Sequence, residues 1–206
     1  MTQQHHIRVV MFDLGNVLVD LGEVSQMHAM LNTQGEESQV WLQWLGSPAV
    51  KAFDTGKIDF DTFASRLLAE VNSNADKESF KQAFQTWPRG LFAGALDLVK
   101  QVKPEYHKAI LSNTNAAHWP RLLDEMGLAG QFHHYFASHQ LGLVKPEPDI
   151  YQVVLDKLQV PAQDILFVDD NQINIDMAQS LGMHAYRVKG VTEARQVLEK
   201  YQVLVN

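Results

Sequence analysis

Four polar clusters, each at the end of an apolar run, carry the side chains of this chain best suited to chemistry. Asp13 follows the run from Arg8 to Phe12 and precedes a Gly15-Asn16 turn, and Ser112 with Asn113 follows the run from Lys108 to Leu111. Lys145 stands in Lys145-Pro146-Glu147-Pro148, and the pair Asp169-Asp170 closes the run from Ile165 to Val168. Brought together, they would offer a carboxylate nucleophile, a hydroxyl donor, a cation, and acids able to hold a divalent metal. That inventory suits phosphoryl transfer. A phosphate monoester dianion repels an attacking carboxylate, so a site for it must neutralise charge with a hard cation and a lysine before in-line attack. Mg²⁺ accepts oxygen ligands and keeps several waters. An aspartyl-phosphate formed in this way is hydrolysed by water. Standing alone, each cluster has a plainer reading: Asp13 as a turn residue, Ser112-Asn113 as an ordinary turn, Lys145 as a surface lysine at a helix start.

The elements that must position these tips are legible as alternating strands and helices. Short apolar runs of β-branched type read as buried strands at 8–12, 108–111, 133–137, 165–168 and 185–188. Between them lie helical stripes: Ala95, Leu98, Val99 and Val102; Trp119, Leu122, Leu123 and Met126, stopped by Gly127; Tyr151, Val154, Leu155 and Leu158 behind Pro148; Ile173, Met177, Ala178 and Leu181 before Gly182; and a last helix from Glu193 to Tyr201. Strand, polar tip and helix in repetition predict an α/β fold, a Rossmann-like parallel sheet covered by helices on both faces with right-handed crossovers. In such sheets ligands bind outside the carboxyl ends of the strands, where all four clusters fall.

From about Gly22 to Arg89 the pattern is helical only. Met27, Met30 and Leu31 form one stripe, and Trp41, Leu42, Trp44 and Leu45 a second. Phe60, Phe63, Leu67 and Leu68 form a third, with Asp59 or Asp61 placed to cap it, and Phe80, Phe84 and Trp87 a fourth. The expected organisation is a discontinuous core of residues 1–20 and 90–206 with a helical cap at 21–89.

The bulk numbers narrow the function. A chain of 206 residues is long enough for a sizeable core, and with no cysteine it has neither disulfides nor thiolate sites, which fits a reducing cytosol. The polar start MTQQHHIRVV reads as neither a signal peptide nor a membrane span, so the expectation is a soluble cytoplasmic protein. A net charge of -7 argues against nucleic-acid binding. No G-x-G-x-x-G, Walker loop or G-x-S-x-G occurs.

In these residues and their order the chain resembles the haloacid dehalogenase superfamily of phosphohydrolases. The matching segments are FDLGNVLVD, LSNTN, VKPEPDIY and FVDDNQINIDMAQSLGM. The insertion after the first resembles the family's helical cap of the first type (subfamily IA). Its FDTGKIDFDTF is similar to the subgroup containing bacterial α-glucose-1-phosphate phosphatase and the phosphatase domain of soluble epoxide hydrolase. The resemblance implies that Asp13 is the nucleophile and a metal ligand, with Lys145 beside it in catalysis. Ser112, Asn113 and Lys145 would bind phosphate. Asp170 and, less directly, Asp169 would complete an Mg²⁺ site to which Gly15 lends its carbonyl. The partner implied is a small phosphorylated metabolite, bound by a monomer or weak homodimer.

One position departs from the family pattern. Most of its phosphatases carry a second Asp two residues after the nucleophile as general acid and base, and here Gly15 stands there. Loss of a positioned acid costs roughly 10²- to 10⁴-fold in rate. The preferred expectation is therefore a substrate whose leaving group needs little protonation, such as a sugar 1-phosphate. A water beside Gly15, or a cap acid among Glu23, Asp54 and Asp59, would be another proton source. The alternatives are a metal-independent 2-haloacid dehalogenase, in which Asp169-Asp170 would have no evident task, and a catalytically idle domain that binds a phosphorylated ligand.

The remaining candidates read as structural. Adjacent pairs His5-His6 and His133-His134 do not share a helix face and suggest no metal site. His28, His118, Trp41, Trp44 and Trp87 are expected to pack, and Asp176 to be solvated.

Overall fold

A computed structural model describes residues 6–23, 25–31 and 43–205. At its centre is a parallel sheet in the order β5-β4-β1-β6-β7. These strands are β1 (Val9–Phe12), β4 (His107–Ser112), β5 (His134–Ala137), β6 (Ile165–Asp169) and β7 (His184–Arg187). The central strand β1 is buried at every residue, as a strand covered on both faces must be. Val10 and Phe12 enter one apolar cluster with α5 (Ala95–Gln101), the segment around Leu122 and α9 (Gly190–Lys200). Val9 and Met11 enter the opposite one with α7 (Pro148–Leu158) and α8 (Gln172–Ser180). A short helix, α6 (Ser138–Leu141), follows β5. The expected α/β architecture is the one observed.

Register brings the tips level. Phe12 pairs with Ile110 on one side and Val168 on the other, and the Asp13 N–H donates to the Val168 carbonyl at 2.9 Å. Asp13, Ser112 and Asp169 consequently leave the same edge of the sheet.

The chain departs from the sheet and returns to it through a two-strand antiparallel ribbon, β2 (Val19–Asp20) with β3 (Gly90–Leu91). Between the two lie α1 (Ser25–Leu31), α2 (Pro48–Asp54), α3 (Phe60–Glu70) and α4 (Lys77–Gln85). Side-chain caps start three of these. Ser47 accepts from the Val50 N–H, Asp59 from Thr62 and Asp76 from Ser79. Of the two acids placed to cap the third stripe, Asp59 does so, while Asp61 lies in the first turn and pairs with Lys77 and Lys81. Phe53, Phe63, Phe80 and Phe84 form a third apolar cluster, with Trp44 and Trp87 packed against it. Trp41 and Leu42 lie outside the described residues, as does His5.

Two expectations need correction. Ile173 does not face inward: it is 49% exposed, and α8 instead buries Asn174, Ile175 and Ala178. The reason is polar. The Asn174 amide donates to both oxygens of Asp169 at 2.9 and 3.1 Å, and its carbonyl accepts from the Tyr151 hydroxyl, which rotates the helix away from its apolar reading. After Trp119 the expected α-helix is in part a π-helical turn, Arg121–Glu125, though Trp119 and Leu122 are buried as the stripe requires.

Candidate functional site

The strand tips converge on a cavity of about 330 Å³. Its floor includes Asp13, Gly15, Ser112, Asn113, Lys145 and Asp170, and its roof Trp44, Val50, Asp54, Phe84 and Trp87.

The floor is organised by one lysine. Lys145 is 5% exposed, and its Nζ donates to Asp13 Oδ1 at 2.8 Å, Asp169 Oδ2 at 2.5 Å and the Leu111 carbonyl at 2.9 Å. All three donor sites of the ammonium are thus used. Burial pulls its pKa down, but Asp13 and Asp169 outweigh that and hold it above the ordinary lysine value. Asn113 fixes the lysine from behind. Its Nδ2 donates to the Lys145 carbonyl at 2.9 Å, and its Oδ1 accepts from the Lys145 N–H at 2.8 Å. The Asn113 side chain is therefore committed to positioning Lys145.

Asp13, Asp169 and Asp170 present carboxylate oxygens that all lie within 4.8 Å of one another. Asp169 is fully buried and held by the Asn171 N–H and the Asn174 amide, while Asp170 Oδ2 accepts from Asn16 Nδ2 at 3.0 Å. Three acids against one lysine leave excess negative charge at the strand tips. Burial accordingly pushes Asp13 up to about 7, the Lys145 charge opposing and Asp169 and Asp170 adding. Asp170 is raised as well, first by burial. An all-oxygen donor set with surplus negative charge fits a hard divalent cation.

Gly15 lines the same floor, and a side chain there would have to push the end of Leu21 aside. A Cβ on Gly15 would sit 2.9 Å from Leu21 Cδ1 and 3.9 Å from Asp13 Oδ2. Ser112 is 4% exposed and also lines the cavity. Beyond it, the Thr114 N–H donates to Ser138 Oγ, whose hydroxyl donates back to the Thr114 carbonyl, pinning the loop to α6.

Sequence reasoning set His118 aside as packing and did not weigh Asn115. His118 is 8% exposed, and its Nε2 donates to the Phe84 carbonyl at 2.6 Å. That fixes its tautomer: Nδ1 accepts from Asn115 Nδ2 at 3.4 Å, and the same amide donates to Asp54 Oδ1 at 3.2 Å. Burial holds His118 neutral, its pKa pushed down to about 4, and lifts Asp54 to about 6 against the pull of Asn115. Among the three acids named from sequence, Asp54 alone lines the cavity; Asp59 caps α3, and Glu23 is exposed at its edge. Trp44 and Trp87 both pack in the helical cluster and line the roof, 5.1 Å apart edge to face. His107, His133 and His134 stack on one another, with His107 at the start of β4, away from these tips. Asp176 is exposed.

Known proteins resemble this chain, several of them along most of its length. Residues 7–182 match the family model described as haloacid dehalogenase-like hydrolase. A D-ribitol-5-phosphate phosphatase from Bacteroides thetaiotaomicron is 26% identical over 199 residues, 93% of this chain and 97% of that one. Bifunctional epoxide hydrolase 2 of Rattus norvegicus is 37% identical over 73 residues, which are 35% of this chain and 13% of that protein. Among solved structures, a HAD family enzyme from Bacteroides thetaiotaomicron superposes with a TM-score of 0.75 at 23% identity, covering 89% of this chain and 94% of that one. The same enzyme has been solved with magnesium and inorganic phosphate. L-2-haloacid dehalogenase from Xanthobacter autotrophicus superposes with a TM-score of 0.67 at 24% identity over 88% of this chain and 77% of that one. With three motifs at level strand tips, a fourth bringing Lys145 to them from the loop before α7, and a family match across most of its length, this chain belongs to the haloacid dehalogenase-like hydrolases.

Proposed function

We propose that this protein is a Mg²⁺-dependent phosphatase that hydrolyses a small phosphorylated metabolite through an aspartyl-phosphate on Asp13. The observation that carries the reading is the trio of buried Asp13 and Asp169 with half-buried Asp170, gathered within 4.8 Å beside a lysine that pairs with only two of them. Mg²⁺, when bound by Asp13, Asp169, Asp170 and the Gly15 carbonyl, would supply the charge neutralisation that lets a phosphate dianion approach a carboxylate. Lys145 holds Asp13 in orientation and offers positive charge to the incoming phosphate. Ser112 offers it a hydroxyl, and Asn113 keeps Lys145 in place. Residues 21–89 act as a cap over residues 1–20 and 90–206, shedding water and reading the leaving group.

The substrate class we propose is a sugar phosphate. Residue 15 is glycine and gives the floor no acid for the leaving oxygen, which favours a leaving group of low basicity, such as the anomeric hydroxyl of a sugar 1-phosphate. A second reading, the primary phosphate of a polyol, draws support from the relative named for D-ribitol-5-phosphate. Steady-state phosphate release from sugar 1-phosphates, sugar 6-phosphates and polyol 5-phosphates, with and without Mg²⁺, separates the two. The first reading expects the highest kcat/KM on a 1-phosphate, and a clear preference for primary phosphates would replace it with the second. Dehalogenation would leave the three clustered acids without a task, and chloride release from 2-chloropropionate in the presence of a chelator would be needed to restore it.

A further inference from the structure

We propose that Asp54, on the cap side of the cavity, is the general acid and base that Gly15 cannot be. The inference rests on the phosphatase reading and adds a catalytic residue to it.

In-line displacement sets nucleophile and leaving group on opposite sides of phosphorus. With Asp13 on the floor, the group that protonates the leaving oxygen belongs on the roof. Asp54 ends α2 there, and three contacts dock that helix against the tips. Lys51 Nζ bonds Glu147 Oε1 at 2.5 Å, Asp54 Oδ1 accepts from Asn115 at 3.2 Å, and Gly56 lies so close to His139 that a Cβ on it would meet the carbonyl oxygen at 2.4 Å. Asn115 is three residues beyond Ser112 on the same loop, so the carboxyl is tied directly to the end of the site that would receive phosphate.

Several titratable groups that line this space, Lys51, Glu147, Lys145 and His118, have partners of their own. Lys51 and Glu147 pair with each other, and Lys145 is bound to Asp13 and Asp169. His118 spends its proton on the Phe84 carbonyl and its lone pair on Asn115. Among the described residues Asp54 has no cation partner, and its carboxyl has no hydrogen bond beyond the one from Asn115. An apolar wall of Val50, Phe84 and Trp87 adjoins it, and burial of that kind favours the protonated form that a general acid needs.

The proton balance closes over two steps. As an Asp13 oxygen bonds to phosphorus and the bond from phosphorus to the leaving oxygen breaks, the Asp54 proton passes to that oxygen and the alcohol departs. Water then attacks the aspartyl-phosphate and gives a proton to the Asp54 carboxylate. Inorganic phosphate leaves, and Asp13 is a carboxylate again.

The leaving group provides the test, because p-nitrophenolate departs without a proton and a primary alkoxide does not. Wild type and Asp54→Asn are compared on p-nitrophenyl phosphate, a sugar 1-phosphate and a sugar 6-phosphate at saturating Mg²⁺. The expected loss is roughly 10²- to 10⁴-fold on the 6-phosphate. It is smaller on the 1-phosphate and within a few fold on p-nitrophenyl phosphate. An equal loss on all three, or no loss on any, overturns the assignment while leaving the phosphatase reading intact. If wild type turns over none of them, the phosphatase reading fails and takes this one with it. Should Asp54→Asn not fold, Asp54→Ala with added formate reads the same chemistry: formate is expected to restore 6-phosphate turnover selectively, and its failure to do so overturns the proposal.

Discussion

On the floor of the cavity a buried lysine sits among two carboxylates and a carbonyl, fixed from behind by an asparagine amide. On the roof, Phe84 meets the rings of Phe53, Phe63, Phe80, Trp44 and Trp87 at centroid distances of 5.1 to 6.2 Å, with His118 stacked on it at 4.3 Å. The two halves resist different changes. Loss of the lysine would leave two carboxylates buried and uncompensated. A ring cluster loses energy in proportion to the volume removed. The floor is thus held by charge and the roof by shape.

The largest effect expected from breaking this contrast is on rate. Asp13→Asn keeps the size of the side chain but, on the proposed mechanism, cannot form a phosphoenzyme that turns over. Phosphate release from p-nitrophenyl phosphate should fall by roughly 10⁴-fold or more. Circular dichroism and melting should stay close to wild type, since one of three mutually repelling acids has been neutralised.

Two truncations of similar cost then separate floor from roof. Lys145→Met leaves Asp13 and Asp169 buried without a counter-charge, a loss of about 3 to 5 kcal/mol. Saturating Mg²⁺ should return part of that, because a cation binding the folded trio and not the unfolded chain raises stability by mass action. Phe84→Ala should cost about 3 to 5 kcal/mol as well, but Mg²⁺ should return none of it. Hydrogen exchange would locate the damage: protection should fall in α3 and α4 for Phe84→Ala and at the ends of β1 and β6 for Lys145→Met. Identical metal responses would show that the two halves form one cooperative unit.

The same contrast explains what could be read in the chain. Asp13, Ser112 and Asp169 were legible because each directly ends a short buried run, and a strand's end is a local property of sequence. The role of Asn113 was not, since its amide reaches Lys145, 32 residues away. Asp54 and Asn115 are 61 residues apart and on different elements, so no spacing rule joins them. Ile173 was misassigned because helical periodicity counts apolar residues and ignores an amide. The bonds from Asn174 to Asp169 decide the rotation of α8. The Leu21 side chain against Gly15 was equally hidden, being a matter of shape.

That steric fact yields a sharper variant of smaller effect. Gly15→Asp alone should overpack the floor by about 1 to 3 kcal/mol, whereas Leu21→Ala beside it removes the carbon that a Cβ would meet at 2.9 Å. The double variant should gain activity on sugar 6-phosphates relative to 1-phosphates. The gain should fall short of the roughly 10²- to 10⁴-fold that a positioned acid contributes, because the new carboxyl would crowd Asp13. No change in the ratio of the two substrates would mean that the leaving group is protonated from the roof alone.

The smallest effect expected is on the pH dependence of stability, where His118 and Asp54 act in opposite directions through the amide they share. His118 has a folded pKa of about 4 against an ordinary 6.5. Between those values the unfolded chain holds a proton that the folded one does not, so stability is lost as pH falls. Asp54 has a folded pKa of about 6 against an ordinary 3.8. Across that window the folded chain holds the extra proton, and the stability it brings fades as pH rises through about 6. From pH 6 to 4 the two contributions largely cancel. Arg121, Lys51 and Glu147 nearby carry charges that these substitutions leave in place. Asp54→Asn should remove one side of the balance, so that urea midpoints fall more steeply on acidification than in wild type. The added slope is at most about 1.4 kcal/mol per pH unit for a single proton. His118→Asn should do the reverse and flatten the profile. Parallel profiles for all three proteins would mean that the relay from Phe84 to Asp54 does not hold its protons as the hydrogen-bond directions require.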